Sequence, residues 1–244
     1  PICAPCPATE SDGMNSAFPA VTRLSGCAAA LPLPHVDTDQ IMPKQFLKGI
    51  DRQGLAQGFL HAMRFDAAGQ ACNDFVLNQA PWTEAKFLIT GANFGCGSSR
   101  EHAVWGMREL GIRCVLGTSF GGIFSDNCMR NGVPALVLPA FEVDRLMALA
   151  QDPQRCTLTL DLPSQSLHTA GDGQTLHFDV DPLHKEMLLR GLDAVGMLGV
   201  KLDSSPDNSG TGLLARSSVA EPGSPSYARR AHDNYSKLGI TGKA

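Results

Sequence analysis

Phe87-Leu88-Ile89-Thr90-Gly91-Ala92-Asn93-Phe94-Gly95-Cys96-Gly97-Ser98-Ser99-Arg100-Glu101-His102-Ala103 is the stretch on which the fold and its chemistry turn. An apolar, β-branched run leads into glycines, and the glycines lead into a segment of helical character. Gly95 and Gly97 permit a tight turn and a close backbone approach to a ligand. A helix opening near Ser98 or Ser99 leaves its first N–H groups unpaired, and with the positive end of the helix dipole these attract an anion. Arg100 adds a planar donor suited to a carboxylate. A serine hydroxyl among such donors becomes accessible as a transient base. The same letters have a structural reading: Ser98-Ser99-Arg100-Glu101 has the S-x-x-E spacing of a capping box. A dinucleotide fingerprint is excluded, because Arg100 stands where the third glycine would be, and no G-K-[ST] follows for a P-loop.

Outward from this stretch the chain alternates. Lys86–Gly91, Ile112–Gly117 and Val133–Leu138 read as strands; Ser99–Leu110, Phe120–Arg130 and Phe141–Ala150 read as helices. Ala103, Val104, Met107 and Leu110 share one helical face, and Gly111 stops that helix. Such repetition predicts parallel strands with right-handed crossovers. Cys156–Leu162, Ser166–Thr169 and Thr175–Val180 read as further strands around Gly171-Asp172-Gly173, and a helix starts at Pro182 after Asp181. The expected class is therefore α/β, a mixed sheet with flanking helices.

The chain has 244 residues, enough for one full core, and 43% of them are hydrophobic. A net charge of −4 argues against nucleic-acid binding, and no run of about 18 apolar residues offers a membrane span. The patch Ala28-Ala29-Ala30-Leu31 is cut by Pro32 and Pro34, so it makes a poor secretory signal. Eight cysteines are scattered, several within apolar runs, which points to reduced thiols in a cytoplasmic protein. Cys3 and Cys6 form an isolated C-x-x-C in a proline-containing leader. No metal-ligand set is evident. Residues 1–18 read as a flexible leader with Met14 as a credible natural start, and 19–202 as the folded domain. Between 203 and 226 there are seven Ser, three Gly and three Pro, so 203–244 reads as a largely disordered tail.

The segment Asn93–Ala103 resembles the signature of the small-subunit family of 3-isopropylmalate dehydratase, in the aconitase superfamily. Three more blocks agree in order: Val36-Asp37-Thr38-Asp39-Gln40-Ile41-Met42-Pro43-Lys44-Gln45-Phe46-Leu47, Asp74-Phe75-Val76-Leu77-Asn78, and Gly191-Leu192-Asp193-Ala194-Val195-Gly196. The resemblance covers roughly residues 20–202 and leaves both tails outside. It implies a swivelling β/β/α domain that pairs with a large subunit carrying a [4Fe–4S] cluster, with no cofactor bound by this chain. It implies a hydro-lyase reaction that moves a hydroxyl between adjacent carbons of isopropylmalate in leucine biosynthesis. Ser98 would then be the base, Ser99 would help bind substrate carboxylate or shape the anion hole, Arg100 would clamp a carboxylate, and Gly95 and Gly97 would form the backbone of the anion loop. Arg52 is either a second substrate-binding arginine or a solvated loop charge. Asp37 and Asp39 either orient the loop or, on the structural reading, make an Asx-turn after a strand. His102, Cys96 and Lys44 read as structural or surface residues. Related hydro-lyases acting on methylmalate, dimethylmaleate or homoaconitate share this pattern, and a non-catalytic anion-binding module is the reading from another class.

Overall fold

β1 (Arg23–Leu31) lies at the join of a seven-stranded sheet, between its parallel and its antiparallel half. The computed structural model describes residues 17–47, 54–193 and 196–197. The expected leader up to residue 16, Arg52, Ala194, Val195 and the tail 203–244 lie outside the described residues.

On one side β1 runs parallel to β2 (Phe87–Thr90), β2 to β3 (Cys114–Gly117), and β3 to β4 (Ala135–Val137). On the other side β1 pairs antiparallel with β5 (Thr157–Asp161), followed by the antiparallel strands β6 (Ser166–Thr169) and β7 (Thr175–His177). The sheet is mixed, as expected. Ser166–Thr169 has its expected bounds, and the other five expected strands are each shorter by two or three residues.

The two-residue period of the strands divides the core in two. Ala29, Leu31, Leu88 and Val115 face one layer, with Val104 and Met107 of α3 (Glu101–Glu109) and Phe124 and Cys128 of α4 (Gly122–Arg130). Ala28, Ala30, Phe87, Ile89, Cys114 and Leu116 face the other, with Val143 and Leu146 of α5 (Ala140–Ala150) and Leu188 of α6 (Pro182–Arg190). Every residue of β2 and β3 is buried, as parallel strands covered on both faces require.

β1 itself is not evident from sequence. Its Gly26 and three alanines are poor strand formers in isolation. Their value is close approach: α5 packs over β1, and a Cβ on Gly26 would come within 2.4 Å of the Lys86 side chain. Two short helices, α1 (Thr38–Ile41) and α2 (His61–Arg64), precede β2 and pack on each other, with Leu60 N–H donating to Ile41 O at 2.8 Å.

Candidate active site

The loops that follow β1, β2 and β3 meet at the carboxyl edge of the parallel strands, where open α/β sheets place their ligands. Backbone hydrogen bonds lace them together. His35 N–H donates to Ala92 O at 2.8 Å, Gly95 N–H to Val36 O at 2.8 Å, Thr38 N–H to Cys96 O at 2.8 Å, and Gly121 N–H to Phe94 O at 2.9 Å. Isolated parallel bridges, Asp37 to Cys96 and Phe94 to Phe120, extend the sheet register into these loops. Phe94 is fully buried and meets the Phe124 ring edge-on at 5.4 Å, which anchors the loop in the core.

Two glycines have no substitute here. Gly95 sits at φ +76°, and a Cβ would fall 2.3 Å from the Phe124 ring. Gly121 approaches so closely that its Cβ would stand 2.3 Å from Gly95 O. Gly97, at φ +96°, turns the chain outward, so that Ser98 and Ser99 are exposed at the tip.

The helix after this loop starts later than expected. α3 begins at Glu101, Arg100 occupies the N-cap with extended backbone, and no side chain caps it. The S-x-x-E capping box is therefore absent. Ser98 is still in the loop, with its carbonyl accepting from Thr38 Oγ1 at 2.7 Å. The Glu101 carboxylate turns instead to Asn131 Nδ2 at 2.8 Å. With the structural reading removed, two exposed hydroxyls and an uncapped helix N-terminus stand together, an arrangement suited to an anion.

A capping box does form across the loop, on α1. Asp37 accepts from Gln40 N–H at 2.8 Å, and Asp37 N–H donates to Gln40 Oε1 at 3.0 Å. Asp37 is thus a helix cap rather than the residue of an Asx-turn. α1 in turn holds the serine loop: Thr38 binds Cys96 and Ser98, and Asp39 makes an ion pair with Arg100. Arg100 Nη1 also donates to Met42 O at 3.3 Å. The structure thus brings Gly95, Gly97, Ser98, Ser99 and Arg100 together, and it adds Thr38 and Met42 O, which sequence reasoning missed.

Of the remaining candidates, the His102 ring lies tilted against Trp105 with ring centroids 4.7 Å apart, Cys96 is half-buried and Lys44 is exposed. Glu109 is a further residue that sequence gave no reason to single out. An acid at a helix C-terminus opposes the dipole. Its carboxylate, however, takes the N–H groups of Gly54, Leu55 and Ala56 at 2.7, 2.5 and 2.8 Å. Desolvation works against its charge, but the three donors prevail and hold its carboxyl below the ordinary range. From the other side, Arg64 donates to Ala56 O at 2.6 Å and Phe59 O at 3.2 Å. A carboxylate and a guanidinium therefore grip the backbone of 54–59.

Among the described residues, no three His, Cys, Asp or Glu side chains are grouped so as to hold a metal ion. Cys114, Cys128 and Cys156 are buried in the sheet and its covering layers, and burial pushes the Cys114 and Cys128 thiols upward in pKa. These residues do not fit an iron–sulfur cluster.

Comparison with known proteins agrees with this geometry. Residues 18–140 match the model of the aconitase C-terminal domain, and residues 144–182 match the LeuD_N model. The small subunit 1 of 3-isopropylmalate dehydratase from Mannheimia succiniciproducens is 50% identical over 175 residues, covering 72% of this chain and 86% of that protein. The chain belongs to the 3-isopropylmalate dehydratase small-subunit family. The small subunit from Parvibaculum lavamentivorans, another member, is 49% identical over 175 residues, covering 72% of this chain and 87% of that protein. A solved structure of 3-isopropylmalate dehydratase from Methanocaldococcus jannaschii superposes with a TM-score of 0.56 at 26% identity. The match covers 74% of this chain and 96% of that one. This aconitase-type fold carries the swivel-domain architecture that the family resemblance implied, and with the family comes its class, a component of a hydro-lyase. Residues 188–244 also match a model described as outer membrane porin, OprD family. Where that stretch is described, Leu188 and Leu192 are buried in the dehydratase domain. Among the described residues no helix is long and apolar enough to cross a membrane.

Proposed function

We propose that this chain supplies the proton-transferring half of a 3-isopropylmalate dehydratase. On this reading the substrate is a malate bearing an isopropyl group, and its hydroxyl moves from C2 to C3 through loss and return of water. The reading is carried by one observation: Ser98 and Ser99 stand exposed beside Arg100 at the uncapped N-terminus of α3, on a loop fastened from both sides.

Arg100 binds a substrate carboxylate, and Ser99 with the α3 N-terminus completes the anion site. The substrate's C–H is thereby brought to Ser98 Oγ. Ser98, as the alkoxide, takes the C3 proton and becomes the hydroxyl as the C2–O bond breaks; the hydroxyl departs with the bonding electrons as hydroxide, and an alkene diacid results. In the return step hydroxide adds to C3 and the Ser98 hydroxyl gives a proton to C2, which restores the alkoxide. The surrounding donors supply the stabilisation that a serine oxygen lacks in water.

The site as described is open and one-sided, with the serine tip exposed. A larger partner chain would close it and exclude water. An iron–sulfur cluster, on this reading, belongs to that partner; none of the described residues is assigned to it. Arg52 remains a proposed second carboxylate ligand, and a cytoplasmic location fits the family's biosynthetic role.

The test is Ser98→Ala in the assembled two-chain enzyme. Turnover with 2-isopropylmalate should fall by about 10²–10⁴-fold, the range for removing a positioned proton-transfer group, while assembly is retained. Turnover within about twofold of the parent would remove Ser98 from the mechanism. A panel with methylmalate, dimethylmalate and homocitrate probes the substrate assignment separately.

A further inference from the structure

The Arg100 guanidinium is held asymmetrically. Nη1 is engaged by the Asp39 carboxylate and by Met42 O, whereas Nε and Nη2 have no partner among the described residues. The Arg100 side chain is only 11% exposed, so its stem is fixed, while that of Asp39 is 52% exposed. An ion pair with so exposed a partner contributes at most about 1 kcal/mol to folding. Stability is therefore a poor explanation for it, and direction is a better one.

Asp39 is itself placed with care. It belongs to α1, whose Asp37–Gln40 capping box fixes the first turn, and whose Thr38 binds both Cys96 O and Ser98 O. The loop that carries Arg100 is thus tied to the helix that carries Asp39. Two bodies joined in this way give the guanidinium one orientation instead of several.

We propose that Asp39 is a positioning residue for substrate. It pins Nη1 so that the Nε–Nη2 edge of Arg100 faces the carboxylate that the site receives. That edge is a fork with two parallel N–H donors, matched to a carboxylate. Asp39 also offsets the charge of Arg100, so capture depends on the fork geometry more than on attraction at a distance. This inference rests on the reading of Arg100 as the carboxylate ligand and goes beyond it in saying what aims that ligand.

The test is a double-mutant cycle in the assembled two-chain enzyme, with 2-isopropylmalate as probe and thermal unfolding measured in parallel. Asp39→Ala should raise KM about tenfold, equivalent to the loss of one modest oriented contact, and lower kcat by less than about threefold, with Tm unchanged. Asp39→Asn keeps an acceptor for Nη1 and should return KM to within about threefold of the parent. In an Arg100→Ala background, Asp39→Ala should add less than about twofold, because the residue it aims is gone. Asp39→Ser serves in the same cycle if the alanine variant does not fold. An unchanged KM in Asp39→Ala overturns the proposal. So does a full tenfold effect that persists without Arg100, or a fall in Tm with KM unchanged. An Arg100→Ala single variant with parental KM would instead sink the reading of Arg100 itself, and the inference with it.

Discussion

In β2 and β3 every side chain is buried, and the loops that follow hold two exposed serines, an arginine whose side chain is largely covered and glycines no other residue can replace. In β5, β6 and β7 burial alternates or nearly so, and the turns close on themselves. There Asp172 accepts from Gln174 N–H at 3.2 Å and pairs with Arg145 at 2.5 Å. Both halves belong to one sheet and share β1. The parallel half sends three loops to one edge, where they bond to each other and leave polar groups facing out. The antiparallel half satisfies its polar groups locally. Catalytic potential here follows from where strands end, not from how well they pack.

Core substitutions of similar size should separate the two halves. Phe94→Ala removes a buried ring from beneath the serine loop and should cost about 3–5 kcal/mol; activity should fall further than the folded fraction. Leu167→Ala, equally buried on β6, should cost about 2–5 kcal/mol and leave the kcat and KM of the folded fraction at parental values. Chemical denaturation paired with steady-state kinetics reads both. If Leu167→Ala alters KM as much as Phe94→Ala does, the functional division between the halves is wrong.

Arg100→Ala should raise KM by about 10–100-fold, as expected for losing a charge-assisted contact to a carboxylate. Disrupting the Arg145–Asp172 pair by Asp172→Asn should leave KM unchanged. These two variants set a cation that faces the site against one that serves the fold.

The smallest effect expected concerns Glu109. Its carboxyl is held below the ordinary value of 4.5 in the folded chain by the N–H groups of 54–56. Its contribution to stability is present above that value and disappears as pH falls through the folded-state pKa. Glu109→Gln should therefore be less stable than the parent at pH 7 by no more than about 1 kcal/mol, since the group is solvent-screened. As pH falls through that folded-state pKa the two Tm values should converge. A gap that widens on acidification would contradict the assignment.

Much of this was legible in the sequence, and for physical reasons. Phe87–Thr90 and Cys114–Gly117 are apolar throughout because both faces are covered, and Gly111 and Gly191 end helices by adopting positive φ. The serine loop announced itself by composition. β1 did not, because its Gly26 and alanines record the nearness of α5 and Lys86 rather than any strand propensity. The S-x-x-E spacing at Ser98 misled in the opposite direction. Which serine caps a helix depends on where the helix begins, and here Thr38 holds Ser98 in the loop from 60 residues away. Asp39 and Glu109 act through partners distant in sequence, so no local pattern could reveal what they hold.

The most direct test follows the proton itself. The assembled two-chain enzyme is incubated with 3-isopropylmalate in deuterium oxide, and deuterium at the carbon adjacent to the hydroxyl-bearing carbon is read by NMR, for the parent and for Ser98→Ala. Because the Ser98 hydroxyl exchanges with solvent each time the alkene diacid departs and rebinds, the account predicts steady incorporation in the parent and a rate at least about 100-fold lower in the variant, with partner binding intact. Incorporation at the parental rate without the Ser98 hydroxyl would contradict it.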